Sequence, residues 1–207
     1  MGQRLVVDLV ENGVVIAAVY YHWSAYFAST IDELANLSNA ILKAEKENKN
    51  KLLSVIEMLE QEEEYRHLDG TIEKRSGGIC GTPEDMKAAE TLFPDYKFKA
   101  ENVDRNCGII SLTKEGIDNC HDWEEGHAEI NLDTHEIIND VDIDPDPFEL
   151  EAEYTEEDGE RYIDYYISGK VTINGRTCPI DAFDCTCETI IQLKDFMDKE
   201  YEIYRQK

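Results

Sequence analysis

The residues best suited to chemistry form an aromatic segment near the N-terminus. The side chains with the strongest claim to a ligand site or an interface there are Tyr21, His22, Trp23 and Tyr26. Tyrosine, tryptophan and histidine suit both roles because each combines a large ring with a polar group. His22 could also act as an acid or base. The alternative is that these rings fill the core, with His22 hydrogen-bonded beside them.

Six cysteines and five histidines are the next candidates. The residues that could combine in a zinc site are Cys120, His121, His127, Cys178, Cys185 and Cys187. They lack the paired Cys-x2–4-Cys spacing that is typical of structural zinc sites. No spacing selects a cysteine–histidine pair for nucleophilic catalysis either. The sequence therefore predicts free thiols, and no catalytic residue, cofactor or metal.

Negative charge is the most informative feature of the composition. The 207 residues have a formal net charge of −26, and residues 101–160 alone hold 21 acidic side chains against 2 basic ones. Such a field opposes direct binding to nucleic acid or to an anionic membrane, and it favours a basic partner. No apolar run is long enough to cross a membrane and no signal peptide is recognisable, so we expect a cytoplasmic protein.

The acidic residues between 129 and 160 alternate with apolar ones, which predicts a sheet with one acidic and one apolar face. The side chains assigned to partner binding are Glu129, Asp140, Asp142, Asp144, Glu149, Glu151 and Glu153. Residues two apart on a strand lie about 6.7 Å apart, close to the phosphate spacing of a nucleic-acid strand. This spacing favours mimicry of a phosphate backbone, with a merely solvated surface as the alternative. A calcium loop is disfavoured because Pro145 stands where its sharp turn needs glycine.

The surrounding pattern predicts an α+β fold of antiparallel hairpins, a helical pair and a C-terminal helix. Asn12-Gly13 predicts the first hairpin, and Ser29 or Thr30 is expected to cap the first helix. Thr82 followed by Pro83 predicts the cap and first position of a short helix, and the C-terminal helix is expected at Glu188–Tyr204. The helical pair is expected from Ile31 to about Lys46 and from Leu52 to about Glu64, followed by a flexible connector at residues 70–81. The chain divides into an N-terminal part, 1–100, and an acidic β-rich part, 101–207, which form either two subdomains or one domain.

Two blocks of sequence resemble uncharacterised proteins encoded by phages and mobile elements of Firmicutes. The first runs from Met1–Leu5 to Tyr20–Tyr26, and the second comprises Asp104–Ile110 and Trp123–Gly126. The resemblance implies a phage or prophage setting in a bacterial host cell. Small acidic phage proteins often inhibit host nucleases, as type II-A anti-CRISPR proteins inhibit Cas9.

Charge pattern and resemblance together lead to a specific expectation. The protein is predicted to be a non-enzymatic inhibitor that mimics nucleic acid and blocks the basic binding surface of a defence nuclease such as Cas9. The first alternative is a small-molecule-binding or hydrolytic phage protein that uses the Tyr21–Trp23 cluster. The second is an acidic interaction module. The oligomeric state is left open.

Overall fold

The structure of the protein is a computed structural model. It describes residues 3–67, 69–80, 82–99 and 103–140, and the later elements within 150–157, 160–167, 170–173, 176–179 and 183–205. Side chains are described up to residue 140, apart from that of Phe27, and again for residues 185–199. The helices of the described chain are α1 (Phe27–Glu47), α2 (Lys51–Leu59), α3 (Pro83–Leu92), α4 (Lys114–His121) and α5 (Cys187–Arg205). None of them is long and apolar enough to cross a membrane.

Strands make up most of the remaining described chain. They are β1 (Leu5–Glu11), β2 (Val14–Tyr21), β3 (Glu63–Arg66), β4 (Ile72–Arg75), β5 (Gly78–Ile79), β6 (Ile109–Ser111), β7 (Gly126–Asn131), β8 (Glu136–Asn139), β9 (Leu150–Glu157), β10 (Glu160–Ile167), β11 (Lys170–Ile173), β12 (Arg176–Pro179) and β13 (Phe183–Thr186). Seven form a mixed sheet in the order β13-β8-β7-β1-β2-β6-β5, in which β1–β7 and β5–β6 are parallel pairs. The predicted α+β class is confirmed.

The two faces of the sheet have different coverings. Leu5, Val7 and Leu9 of β1 are fully buried in a core shared with α1, α2 and α5, where each large aliphatic side chain contributes about 2 kcal/mol. Val6 points to the opposite side and packs with Cys120 of α4. We call this second side, which also includes Asp8 and Tyr20, the α4 face. Both candidate sites described below lie on it.

The first hairpin and the helical pair were predicted with different accuracy. Asn12 and Gly13 have φ of 52° and 73° and close the β1–β2 turn, as the sequence indicated. The predicted start of α1 at Ile31 was wrong, because the helix begins at Phe27. Thr30, expected near the cap, is instead a buried first-turn residue whose hydroxyl donates to the carbonyl of Ser24 at 2.8 Å.

The second helix and the connector also differ from expectation. α2 ends at Leu59 rather than near Glu64, since β3 begins at Glu63 and pairs with β4. The predicted flexible connector at residues 70–81 instead contains β4 and β5, and β5 joins the main sheet beside β6. Strand pairing therefore orders a segment whose composition resembles a linker.

The predicted acidic sheet is divided between two sheets. β7 and β8 pair within the seven-stranded sheet, whereas β9 and β10 form a separate antiparallel pair. Glu129 and Glu151 therefore belong to different sheets. The expectation of one continuous acidic sheet across residues 129–160 was wrong. β7 pairs with β1, and β8 pairs with β7, so both strands belong to the seven-stranded sheet.

Candidate functional site

The aromatic segment does not act as one cluster. Tyr21 faces the main core and is 1% exposed, and burial together with the neighbouring carboxyl of Glu33 raises the pKa of its hydroxyl. Trp23 and Tyr26 are exposed, while His22 is half-buried. Alternation along β2 sends Tyr20 to the α4 face instead, where its hydroxyl lies 3.0 Å from Nδ1 of His22. The core-filling alternative thus holds for Tyr21 alone among the four predicted residues.

His22 lines a cavity of about 300 Å³ on the α4 face. Arg4, Tyr20, Arg105 and Trp123 line it as well, and we call it the Arg4–Arg105 cavity. Arg4 directly precedes β1, Tyr20 lies near the end of β2, and His22 directly follows β2. Arg105 belongs to a short 3-10 helix at residues 105–107, and Trp123 lies in the turn after α4. Residues from both resembling blocks therefore meet at one place.

The contacts in this cavity hold a polar, cationic group of side chains together. The guanidinium of Arg4 lies 5.5 Å from the ring centre of Trp123, and it pairs with Glu125 at 3.8 Å. The backbone N–H of His22 donates to the carbonyl of Arg105 at 3.1 Å, which joins the two blocks. Burial raises the pKa of Tyr20, although the positive charges of Arg4 and Arg105 oppose this shift.

A buried carboxylate positions the helix that closes the cavity. Asp85 is fully buried and accepts the backbone N–H groups of Leu112 and Thr113, at 2.7 and 2.8 Å, just before α4 begins. Thr113 then caps α4 by accepting the N–H of Gly116. The predicted cap of α3 is confirmed, and it serves the same purpose, because Thr82 donates to the second oxygen of Asp85.

Beyond the cavity, the α4 face holds a cluster of one carboxylate and two imidazoles. Asp8 is 5% exposed, and its two oxygens lie 3.1 Å from Nε2 of His121 and 3.3 Å from Nε2 of His127. Nδ1 of His121 is 2.6 Å from Glu124. The hydrogen bond with Asp8 raises the pKa of His127, against the effect of burial, and the charges of Asp8, Glu124 and Glu129 add to the rise.

Only part of the predicted acidic surface falls within the described side chains. Glu129 lies opposite Asp8 across the β1–β7 pair, and the N–H of Asp140 donates to the carbonyl of His127 at 2.8 Å. Glu151 and Glu153 lie on β9, where the register sets Glu153 opposite Asp164 of β10. The remaining assigned residues, Asp142, Asp144 and Glu149, lie outside the described residues.

The cysteine side chains that the structure describes agree with the expectation of free thiols, and that of Cys178 lies outside them. Cys80, Cys107, Cys120, Cys185 and Cys187 are unbridged. Burial raises the pKa of Cys120 to about 11, and its sulfur faces the hydroxyl of Ser111 at 3.6 Å. The zinc set of Cys120 with His121, which the spacing disfavoured, is not assembled by the fold, because the thiol is hydrogen-bonded to Ser111 of β6 and His121 lies against Asp8.

Sequence reasoning missed several residues of both sites. Arg4, Arg105 and Trp123 lie within the resembling blocks but were not assigned a role. The sequence could have singled out Asp8, since it is the one charged residue inside the apolar run Leu5–Val10. The comparison with known proteins adds no residue to these sites: no protein-family model, curated protein or solved structure matches this chain.

Proposed function

We propose that the protein binds a small anionic ligand with a planar ring in the Arg4–Arg105 cavity. The observation that supports this function is the meeting of two arginines, a tyrosine–histidine pair and a tryptophan around one concave space. A volume of about 300 Å³ lies at the lower end of the range for small-molecule sites. The lining offers two guanidinium groups, an imidazole and a phenol hydroxyl to a polar ligand.

The charge of the lining favours an anion even though the whole protein is acidic. Arg4 shares its charge with Glu125, but none of the ion pairs between described residues involves Arg105. A guanidinium recognises phosphate or carboxylate through paired N–H donors. At physiological salt the field of distant carboxylates is screened within about 8 Å, so the nearby arginines dominate the potential in the cavity.

The exposed tryptophan favours a ligand that also contains a ring. Trp123 is 62% exposed although it borders a cavity, and Arg4 lies against its ring. An exposed aromatic face gains free energy when a planar ring covers it, by about 1–3 kcal/mol for a stacked base. Trp23 lies close by, with its ring 5.3 Å from that of His22. A nucleoside monophosphate combines both features and is the probe of choice.

Nucleoside monophosphate should quench the intrinsic fluorescence of the protein, because both tryptophans of the chain lie beside the cavity. Arg105→Ala should weaken binding at least about tenfold, the cost of losing a charge-assisted hydrogen bond. Titration calorimetry with the monophosphate, the unphosphorylated nucleoside and inorganic phosphate checks this and separates the contributions of the ring and the anion.

The matched control is Arg66→Ala, which removes the same charge from an exposed position on β3, away from the cavity. It should bind like the unchanged protein. Equal affinity in the Arg105 and Arg66 variants would contradict the proposal. So would the failure of all three probes to bind at millimolar concentration.

A second function is the inhibition of a host defence nuclease by the acidic hairpin β9–β10. Its support is the register of that hairpin, which aligns Glu153 with Asp164 and Glu157 with Glu160. Residues that pair across two strands lie on the same face of the hairpin, and so do residues two apart along one strand. Five acidic residues of β9 and β10 therefore lie on one face. They are Glu151, Glu153, Glu157, Glu160 and Asp164. Like charges placed side by side favour a cationic partner, such as the nucleic-acid channel of Cas9.

Replacing Glu151, Glu153, Glu157 and Asp164 with lysine should abolish inhibition, since it reverses the charge along one face of the hairpin. The measurement is DNA cleavage by purified, guide-loaded Cas9 and by a panel of restriction nucleases, at low and high salt. The control reverses four exposed acids elsewhere, Glu62, Glu64, Glu90 and Asp95, and so matches the change in net charge. Inhibition that both variants retain equally would refute mimicry by this face.

A further inference from the structure

We propose that Asp8, His121 and His127 bind one divalent transition-metal ion, with zinc as the first candidate. The three side chains offer one oxygen and two nitrogen ligand atoms, all within 4.8 Å of one another. They come from β1, from the last residue of α4 and from β7. This site is separate from the Arg4–Arg105 cavity, so neither proposal depends on the other.

Two of the contact distances are close to the ligand separations of a tetrahedral site. Two ligands bound to zinc at about 2.0–2.1 Å are roughly 3.3 Å apart when the angle between them is tetrahedral. The Asp8 oxygens lie 3.1 and 3.3 Å from the two Nε2 atoms. The two imidazole rings are 5.5 Å apart and inclined at 66°, so they converge from different directions instead of stacking. Side-chain rotations that shorten the remaining separations, which are at most 4.8 Å, would surround an ion.

Glu124 orients one of the ligands in the way typical of metal sites. A histidine that binds a metal through one nitrogen usually donates the other N–H to a carboxylate or carbonyl. Nδ1 of His121 lies 2.6 Å from Glu124, which leaves Nε2 directed at Asp8. Glu124 is thus a positioning residue that holds the ring of His121, and it does not belong to the three ligands.

Charge on the α4 face favours a cation at this point. Asp8 is 8% exposed at its side chain and lies within the apolar run Leu5–Val10 of β1. The parallel register sets Glu129, a residue predicted here for partner binding, directly opposite Asp8. Carboxylates opposite each other destabilise a sheet, and a buried one is costly unless it is paired. The imidazoles of His121 and His127 already pair with Asp8, and a divalent ion between them would also offset the repulsion from Glu129.

The site is accessible and leaves room for another ligand. The side chains of His121 and His127 are 31% and 35% exposed, and His121 borders an open groove of about 1120 Å³. Two histidines and one carboxylate with an open position are the ligand set of catalytic zinc and non-haem iron sites. Magnesium and calcium prefer oxygen ligands, and we expect neither to bind here.

Zinc should bind with one ion per chain, and cobalt should give visible d–d bands without a near-ultraviolet thiolate band. His121→Ala and His127→Ala should each weaken zinc binding by roughly 100-fold or more, since each removes a direct ligand. Glu124→Gln should weaken it by about 10-fold and leave the cobalt spectrum similar in shape. Titration calorimetry of the metal-free full chain measures the affinities, and circular dichroism checks folding.

Two kinds of result would overturn the proposal. The first is zinc binding that survives unchanged in both histidine variants, or a thiolate band that assigns the metal to cysteines. The second is the absence of zinc and cobalt binding to the folded protein, which would make the cluster a structural ion-pair group. His67→Ala is the control, because that histidine pairs with Glu73 on the exposed β3–β4 hairpin and should not affect the metal.

Discussion

Asp85→Ala is expected to lower the free energy of unfolding by about 3 kcal/mol, because it removes the fully buried acceptor of two backbone N–H groups. Those groups belong to Leu112 and Thr113, and the same substitution removes the partner of the Thr82 hydroxyl. The position is fully buried, so water does not replace the lost acceptor. Urea denaturation followed by far-ultraviolet circular dichroism measures the change.

Asp85→Asn is the matched control for this experiment. Its amide oxygen can still accept both N–H groups, and its NH2 group can donate to the hydroxyl of Thr82. We expect a loss of about 1 kcal/mol, reflecting the weaker hydrogen bonds of a neutral acceptor. If both variants were equally destabilised, the acceptor geometry would not explain the role of Asp85. Because Asp85 holds the start of α4, the alanine variant should also weaken the Arg4–Arg105 cavity and the metal site.

Gly108→Ala is expected to destabilise the protein by about 3 kcal/mol or more, from backbone strain and overpacking together. Gly108 has φ of 89°, and an added Cβ would lie 2.6 Å from Tyr21 and 2.8 Å from Leu59. Both neighbours are buried core residues, so neither can move away cheaply. Gly108 directly follows the 3-10 helix that contains Arg105, and the substitution should therefore also disturb the cavity. Thermal and urea denaturation measure the loss.

Gly13→Ala separates the two contributions. Gly13 also has a positive φ, 73°, but nothing lies within 4 Å of the position of its Cβ. This variant should lose only the cost of a left-handed backbone, about 1 kcal/mol. A similar loss in both variants would mean that the close approach to Tyr21 and Leu59 contributes little.

Local signals in the sequence were sufficient for several elements. Asn-Gly between apolar runs predicted the β1–β2 turn, since a two-residue hairpin needs backbone with positive φ. Thr82 followed by Pro83 predicted the start of α3, because capping depends on neighbours three residues away. The C-terminal helix was expected at Glu188–Tyr204 and lies at Cys187–Arg205. Each of these features depends on interactions within a few residues.

The errors arose where distant partners decide the structure. Thr30 looked like a cap, yet its hydroxyl bonds to Ser24 and the helix begins earlier. Part of the glycine-containing connector forms β5 because β6 supplies a parallel partner 31 positions later. A composition that suits a linker also suits a short buried strand, and only the pairing separates the two.

The sequence by itself determined the α+β class, the local turns and caps, the free thiols and the uneven distribution of charge. The tertiary structure alone decided which charged and aromatic residues meet. Parallel pairing of β1 with β7 brings Asp8 to His127, 119 positions away, and α4 adds His121. The tertiary structure also joins His22 to Arg105 through a backbone hydrogen bond. Parallel strands have no turn between them to set their register, so their alignment depends on packing across the whole sheet and leaves no local pattern to read.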